Sequence, residues 1–137
     1  MAQDLGLDFS GGLVSWAHGV FASAINDGNS AQTAAENLGA QTGQELGFEL
    51  KLACGAGTVD GVVAARILWS RDGADFEAEG LGEIIAHITP VASSTVTRNF
   101  SAPVMARWFK LAIVNASGVQ ITTSSALDYE VIYGNQA

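Results

Sequence analysis

The chain has one cysteine, Cys54, so it cannot close an internal disulfide, and the thiol says little about redox compartment. Basic residues are scarce, with six Lys and Arg against fourteen Asp and Glu, for a net charge of −8. A polyanion such as nucleic acid finds no basic patch here, and an anionic membrane surface is disfavoured for the same reason. No apolar run approaches the roughly 20 residues that span a bilayer. The first residues carry Asp4 and Asp8 and no Lys or Arg, the wrong charge for a signal peptide, so export by that route is not expected. There are two histidines, His18 and His87, and two prolines, Pro90 and Pro103. Metal sites need three or four clustered ligands, and no such cluster is visible, so no cofactor or metal is expected. Gly-x-Ser-x-Gly and a Gly-rich phosphate loop with lysine are also missing.

What is present is alternation. Hydrophobic residues make up 48% of 137, enough for one domain with a real core. In Arg107–Gly118, Phe109, Leu111 and Ile113 alternate with Trp108, Lys110 and Ala112 before the turn Asn115-Ala-Ser-Gly118. Side chains in a strand point to opposite faces at a period of two, so the first set fills a core. Val63, Ala65, Ile67 and Trp69 repeat the design ahead of Ser70-Arg-Asp-Gly73, which places Trp69 inward and Trp108 outward. Leu46, Phe48, Leu50, Leu52 and Cys54 form the cleanest apolar face, against Gly47, Glu49, Lys51 and Ala53. Further strands are read at Leu13–Ile25, interrupted near Gly19, and at Ile84–Ile88, Thr95–Phe100 and Leu127–Tyr133. Ser30–Gly43 is read as loop or strand. The predicted core is Phe48, Leu50, Leu52, Ile67, Trp69, Phe109, Leu111, Ile113, Tyr129 and Val131.

Strands at this spacing, with polar turns between them, predict an all-β, jelly-roll-like antiparallel sandwich. Residues 1–12, with Gly6, Gly11 and Gly12, read as an N-terminal arm or edge strand, and 13–137 as a single domain.

Asp72, Asp75, Glu77 and Glu79 are the densest acidic cluster. If 75–79 is extended, Asp75, Glu77 and Glu79 share a face, as paired glycosidase carboxylates do. Calcium also takes carboxylate oxygens. The spacing matches no calcium loop, and a solvated acidic loop is the preferred reading. Trp16, Trp69 and Trp108 could stack on sugars. Leu5, Leu7, Phe9, Trp16, Trp108 and Ile132 place apolar groups where a partner could cover them, and plain packing beneath a loop competes for Trp108. Asn115-Ala-Ser117 matches a glycosylation sequon, but a turn suffices.

Leu68-Trp-Ser-Arg-Asp-Gly73, the acidic loop after it, Arg107–Gly118 and the last strand together resemble the small decoration (cement) proteins of tailed-phage virions. The resemblance covers residues 25–137. It implies no catalytic residues, binding to the major capsid protein, and a homo-oligomer around a threefold axis. It also implies synthesis in the host cytoplasm and a place on the capsid surface, with residues 1–12 gripping the lattice. Carbohydrate-binding sandwiches share the same strand logic and are the alternative expectation, with a small glycosidase behind them.

Overall fold

The computed structural model describes residues 7–8, 13–21, 23–39 and 45–134. All its regular elements but one 3-10 turn are strands: β1 (Leu7–Asp8), β2 (Leu13–Val20), β3 (Ser30–Gln32), β4 (Glu36–Asn37), β5 (Glu45–Ala53), β6 (Val62–Ser70), β7 (Glu83–Ile88), β8 (Thr95–Pro103), β9 (Trp108–Ala116) and β10 (Ala126–Gly134). The turn spans Glu79–Leu81.

The strands form two antiparallel sheets. In the first, β1 and β2 pair with one edge of β10, followed by β5 and then β8. In the second, β3 and β4 pair with β9, followed by β6 and then β7. The chain therefore crosses from one sheet to the other after β2, β4, β5, β7, β8 and β9, which is jelly-roll connectivity. The sequence expectation of an all-β jelly-roll-like sandwich holds.

The core lies between the sheets. On β5, Leu46, Phe48, Leu50 and Leu52 are buried. Phe109, Leu111 and Ile113 of β9 face them from the second sheet, and Leu127, Tyr129 and Val131 of β10 lie beside them on the first. Phe109 sits at its centre, edge-on to Phe48 at 6.1 Å and to Tyr129 at 5.2 Å. Such pairs add to the burial of their rings.

Trp69 departs from the predicted core. It packs on the core cluster but remains half-buried, because it sits near the end of β6, where the two sheets stop covering one another. The outer face of the second sheet also departs from a simple wet face: Leu68 and Ala112 point outward and are fully buried. The segment 71–82 is a strap over that face. Arg66 donates to the Gly80 and Gly82 carbonyls, and a Cβ at Gly82 would strike Leu68. Glu79 accepts from Ser30 Oγ at 2.9 Å and Gln32 Nε2 at 3.1 Å, tying the strap to β3.

Segment 30–39 supplies two short edge strands and buries Leu38. Leu7 and Asp8 pair with Gly134 and Tyr133, on the edge of this chain's own first sheet. Leu5 and Phe9 lie outside the described residues, as do the side chains of Leu7, Trp16, His18 and Ile132.

Candidate functional site

A broad opening lies where β6 runs out. After Trp69 the chain turns through Ser70-Arg-Asp-Gly73, and a single carboxylate sets the shape. Asp72 Oδ1 accepts from the Ala74 and Asp75 N–H groups, each at 2.9 Å, and from Ser70 Oγ at 3.0 Å. These bonds favour the anion and hold the Asp72 carboxyl down at about 2. Gly73 takes φ +79 against the indole of Trp108, where a Cβ would lie 2.7 Å from the ring. Trp108 is thus half-buried beneath this turn, the packing reading rather than a bare interface.

The chain then comes back alongside β6. Glu77 N–H donates to the Trp69 carbonyl at 3.2 Å, and Glu77 Oε1 accepts from the Trp69 N–H at 3.0 Å. Phe76 lies under the Lys110 ammonium, 4.5 Å from its ring centre, so one of its faces is occupied.

Between this return and residues 105–106 a cleft of about 710 Å³ opens to solvent. That is the size of an ordinary small-ligand site. Its wall includes Trp69, Phe76, Arg71, Asp75, Glu77 and Glu83. Leu81 and Met105 flank it at 78% and 71% exposure. Asp75 and Glu83 have no hydrogen bond from another side chain among the described residues.

The second opening, about 550 Å³, lies over Gly47 on the first sheet, beside Glu49, Asn99, Ser101 and Glu130. Its aromatic residues, Phe48 and Phe100, are stacked on each other at 5.2 Å and turned toward the core. It therefore offers no aromatic platform.

The structure corrects the extended reading of 75–79. This stretch is not a strand, and its carboxylates do not share one face. Asp72 holds a turn, Glu77 holds Trp69 and Glu79 holds β3. Asp72, Asp75 and Glu77 line the cleft, while Glu79 does not. Among the described residues, no three His, Cys, Asp or Glu are grouped to hold a metal ion. His87 is exposed on β7, and burial raises the thiol of Cys54.

Sequence reasoning missed Arg71, Phe76, Leu81, Glu83 and Met105. An aromatic residue set between acids in a turn-rich segment was the available signal for Phe76. The others come together only in the fold.

The sequon is also settled by geometry. Asn115 is fully buried; its Nδ2 donates to the Ile25 and Val119 carbonyls and its Oδ1 accepts from Ser117. No glycan fits there.

These features define a jelly-roll sandwich with an open aromatic and acidic cleft at one end. No family model matches the sequence, and no curated protein resembles it. Among the solved structures with a similar chain path, three come from carbohydrate-active proteins. One is a family GH115 4-O-methyl-α-glucuronidase with specificity for decorated arabinogalactans, at 17% identity and TM-score 0.45 over 82% of this chain. A second is the Clostridium thermocellum endo-1,4-β-D-xylanase 10B, CBM22-1 and GH10 modules, complexed with xylohexaose, at 9%, 0.47 and 100%. The third is a mutant of CBM29-2, a family 29 carbohydrate binding module, at 17%, 0.40 and 96%. The chain spans 14% and 29% of the first two proteins and 86% of the third.

Proposed function

We propose that the chain is a non-catalytic recognition module that binds carbohydrate in the cleft beside Trp69. The observation that carries this reading is a solvent-open cavity of ligand size with an aromatic wall and polar side chains converging on it. Trp69 is seated on Phe109, with ring centres 6.1 Å apart, so its indole is held in place before a ligand arrives. Preorganisation of that kind lowers the cost of binding. The carboxylates nearest the aromatic wall already serve as turn and strand partners, and Asp72 at about 2 is a poor proton donor.

Calorimetry and polysaccharide pull-down test the proposal. Trp69→Ala should weaken glycan binding by about 2 kcal/mol, roughly thirtyfold, as loss of a central aromatic anchor does. Phe76→Ala should weaken it less, because Lys110 already covers one of its faces. Circular dichroism checks that each variant folds. Failure of the parent to bind any glycan would sink the reading.

A second reading rests on Leu81 and Met105. Their exposure on both sides of the cleft suits a protein surface better than a sugar. It is that of a phage decoration protein, binding the major capsid protein as a homo-oligomer. Mass spectrometry of purified virions should then find this chain in stoichiometric amounts. Leu81→Glu with Met105→Glu should abolish capsid binding without changing the fold.

A further inference from the structure

We infer that the ligand of this cleft is an amino sugar carrying free ammonium groups. The inference deepens the carbohydrate reading and rests on it.

Asp72, Asp75, Glu77 and Glu83 line the cleft, and among the described residues Arg71 is the only basic one that does. The surrounding chain adds to the imbalance, with a net charge of −8. Asp72 and Glu77 also hold the turn and the Trp69 strand end through their carboxylate oxygens. Arg66, the nearest base on β6 that faces outward, donates to the Gly80 and Gly82 carbonyls beneath the strap and does not line the cleft. Lys110 is drawn over Phe76 instead.

A uronic acid or a sulfated sugar would therefore meet a field of its own sign. A neutral glycan would gain nothing from that field. A protonated amine would gain twice, from the carboxylates Asp75 and Glu83 and from the indole of Trp69, since aromatic rings attract cations. A pyranose ring on the indole, with its ammonium toward Asp75 or Glu83, uses both walls of the cleft.

The test compares three soluble probes with the full chain at mildly acidic pH: chitosan oligomers, the same oligomers fully N-acetylated, and oligogalacturonate. Chitosan oligomers should bind about tenfold or more tightly than the acetylated ones, and the advantage should shrink as salt screens the charges. Oligogalacturonate should bind weakest. Asp75→Asn with Glu83→Gln should remove the preference, so that the free and the acetylated oligomers bind the variant equally.

Equal binding of the free and acetylated oligomers would overturn this inference and leave the carbohydrate reading standing. Preferential binding of oligogalacturonate would do the same. If chitosan binds as tightly to Trp69→Ala and to the Asp75/Glu83 double variant as to the parent, a polycation is adhering to an acidic surface, and the inference fails. Should Trp69→Ala not fold, the double variant decides alone. Binding of none of the probes, nor of any other glycan, would remove both the inference and the reading beneath it.

Discussion

The two ends of β9 are built from similar residues and behave in opposite ways. At its far end, Asn115, Ser117, Asp27 and Gly118 make a turn whose side chains are consumed by the fold. Asn115 and Ser117 are fully buried, and the four hydrogen-bonding positions of the Asn115 amide are filled by Ile25, Val119 and both donors of Ser117. At its near end, Trp108 lies under the Ser70–Asp75 turn, where Asp72 accepts three bonds while exposed to water. One polar assembly closes the sandwich. The other holds a cleft open. The difference lies in what the side chains bond. Asn115 reaches across to carbonyls of other segments and draws them together, whereas Asp72 bonds only its own loop and draws nothing over it.

Breaking the closed end should have the larger effect. Asn115→Ala would take the acceptor from the buried Ser117 N–H and one of two donors from each of the Ile25 and Val119 carbonyls, which keep the Ile121 N–H and the Ser117 hydroxyl. An unsatisfied buried group costs about 1–3 kcal/mol, so a loss of about 3 kcal/mol is expected in urea unfolding, with the slope unchanged. A loss no larger than that of a surface substitution would mean that this end is wet. At the open end, Gly73→Ala must adopt φ +79 and push on the Trp108 ring. About 2 kcal/mol is expected, together with weaker ligand binding, because the turn that shapes the cleft has to move.

How much of this was legible in the sequence follows from where each residue finds its cover. The alternation on β5, β9 and β10 could be read because each strand buries one face against the opposite sheet, a local pattern. Leu68 and Ala112 could not, since their cover is a strap held by Ser30, Gln32 and Arg66, far apart in the chain. Trp69 has the parity of a core residue, and only the position of the strand end leaves part of it at the cleft. The acidic cluster was visible, but the partners that give Asp72, Glu77 and Glu79 different tasks were not. An oligomer or a capsid partner would depend on surfaces that a single chain does not display.

Between the two ends, Tyr129 of β10 donates to Glu36 of β4 at 3.4 Å and links the sheets across the core. Burial, then the nearby Glu36 charge, pushes the phenol up to about 12, and burial raises the Glu36 carboxyl. A raised tyrosine stabilises the fold fully below the unfolded value near 10. That contribution is lost as pH climbs through about 12. Alkaline absorbance titration should show a late phenolate transition near unfolding, absent from Tyr129→Phe. A phenol that titrates at the usual value would show that the link between the sheets is not made.

The smallest expected effect belongs to Asp72, and it separates the ends most cleanly. Its carboxyl is lowered to about 2 by the Asp75 and Ala74 amides and the Ser70 hydroxyl. A depressed acid contributes above its unfolded value and loses that contribution as pH falls through the folded one. The turn should therefore survive acidification to near pH 2, well below the range where ordinary carboxylates titrate. Because the group is fully exposed, Asp72→Ala should barely change the melting temperature. It should instead speed amide hydrogen exchange at Ala74 and Asp75, the two donors it releases. NMR titration of the Asp72 carboxyl carbon, with exchange measured on the variant, checks both statements. An ordinary titration midpoint, or a melting loss as large as that of Asn115→Ala, would mean that the two ends are held by the same means and that the contrast between them is wrong.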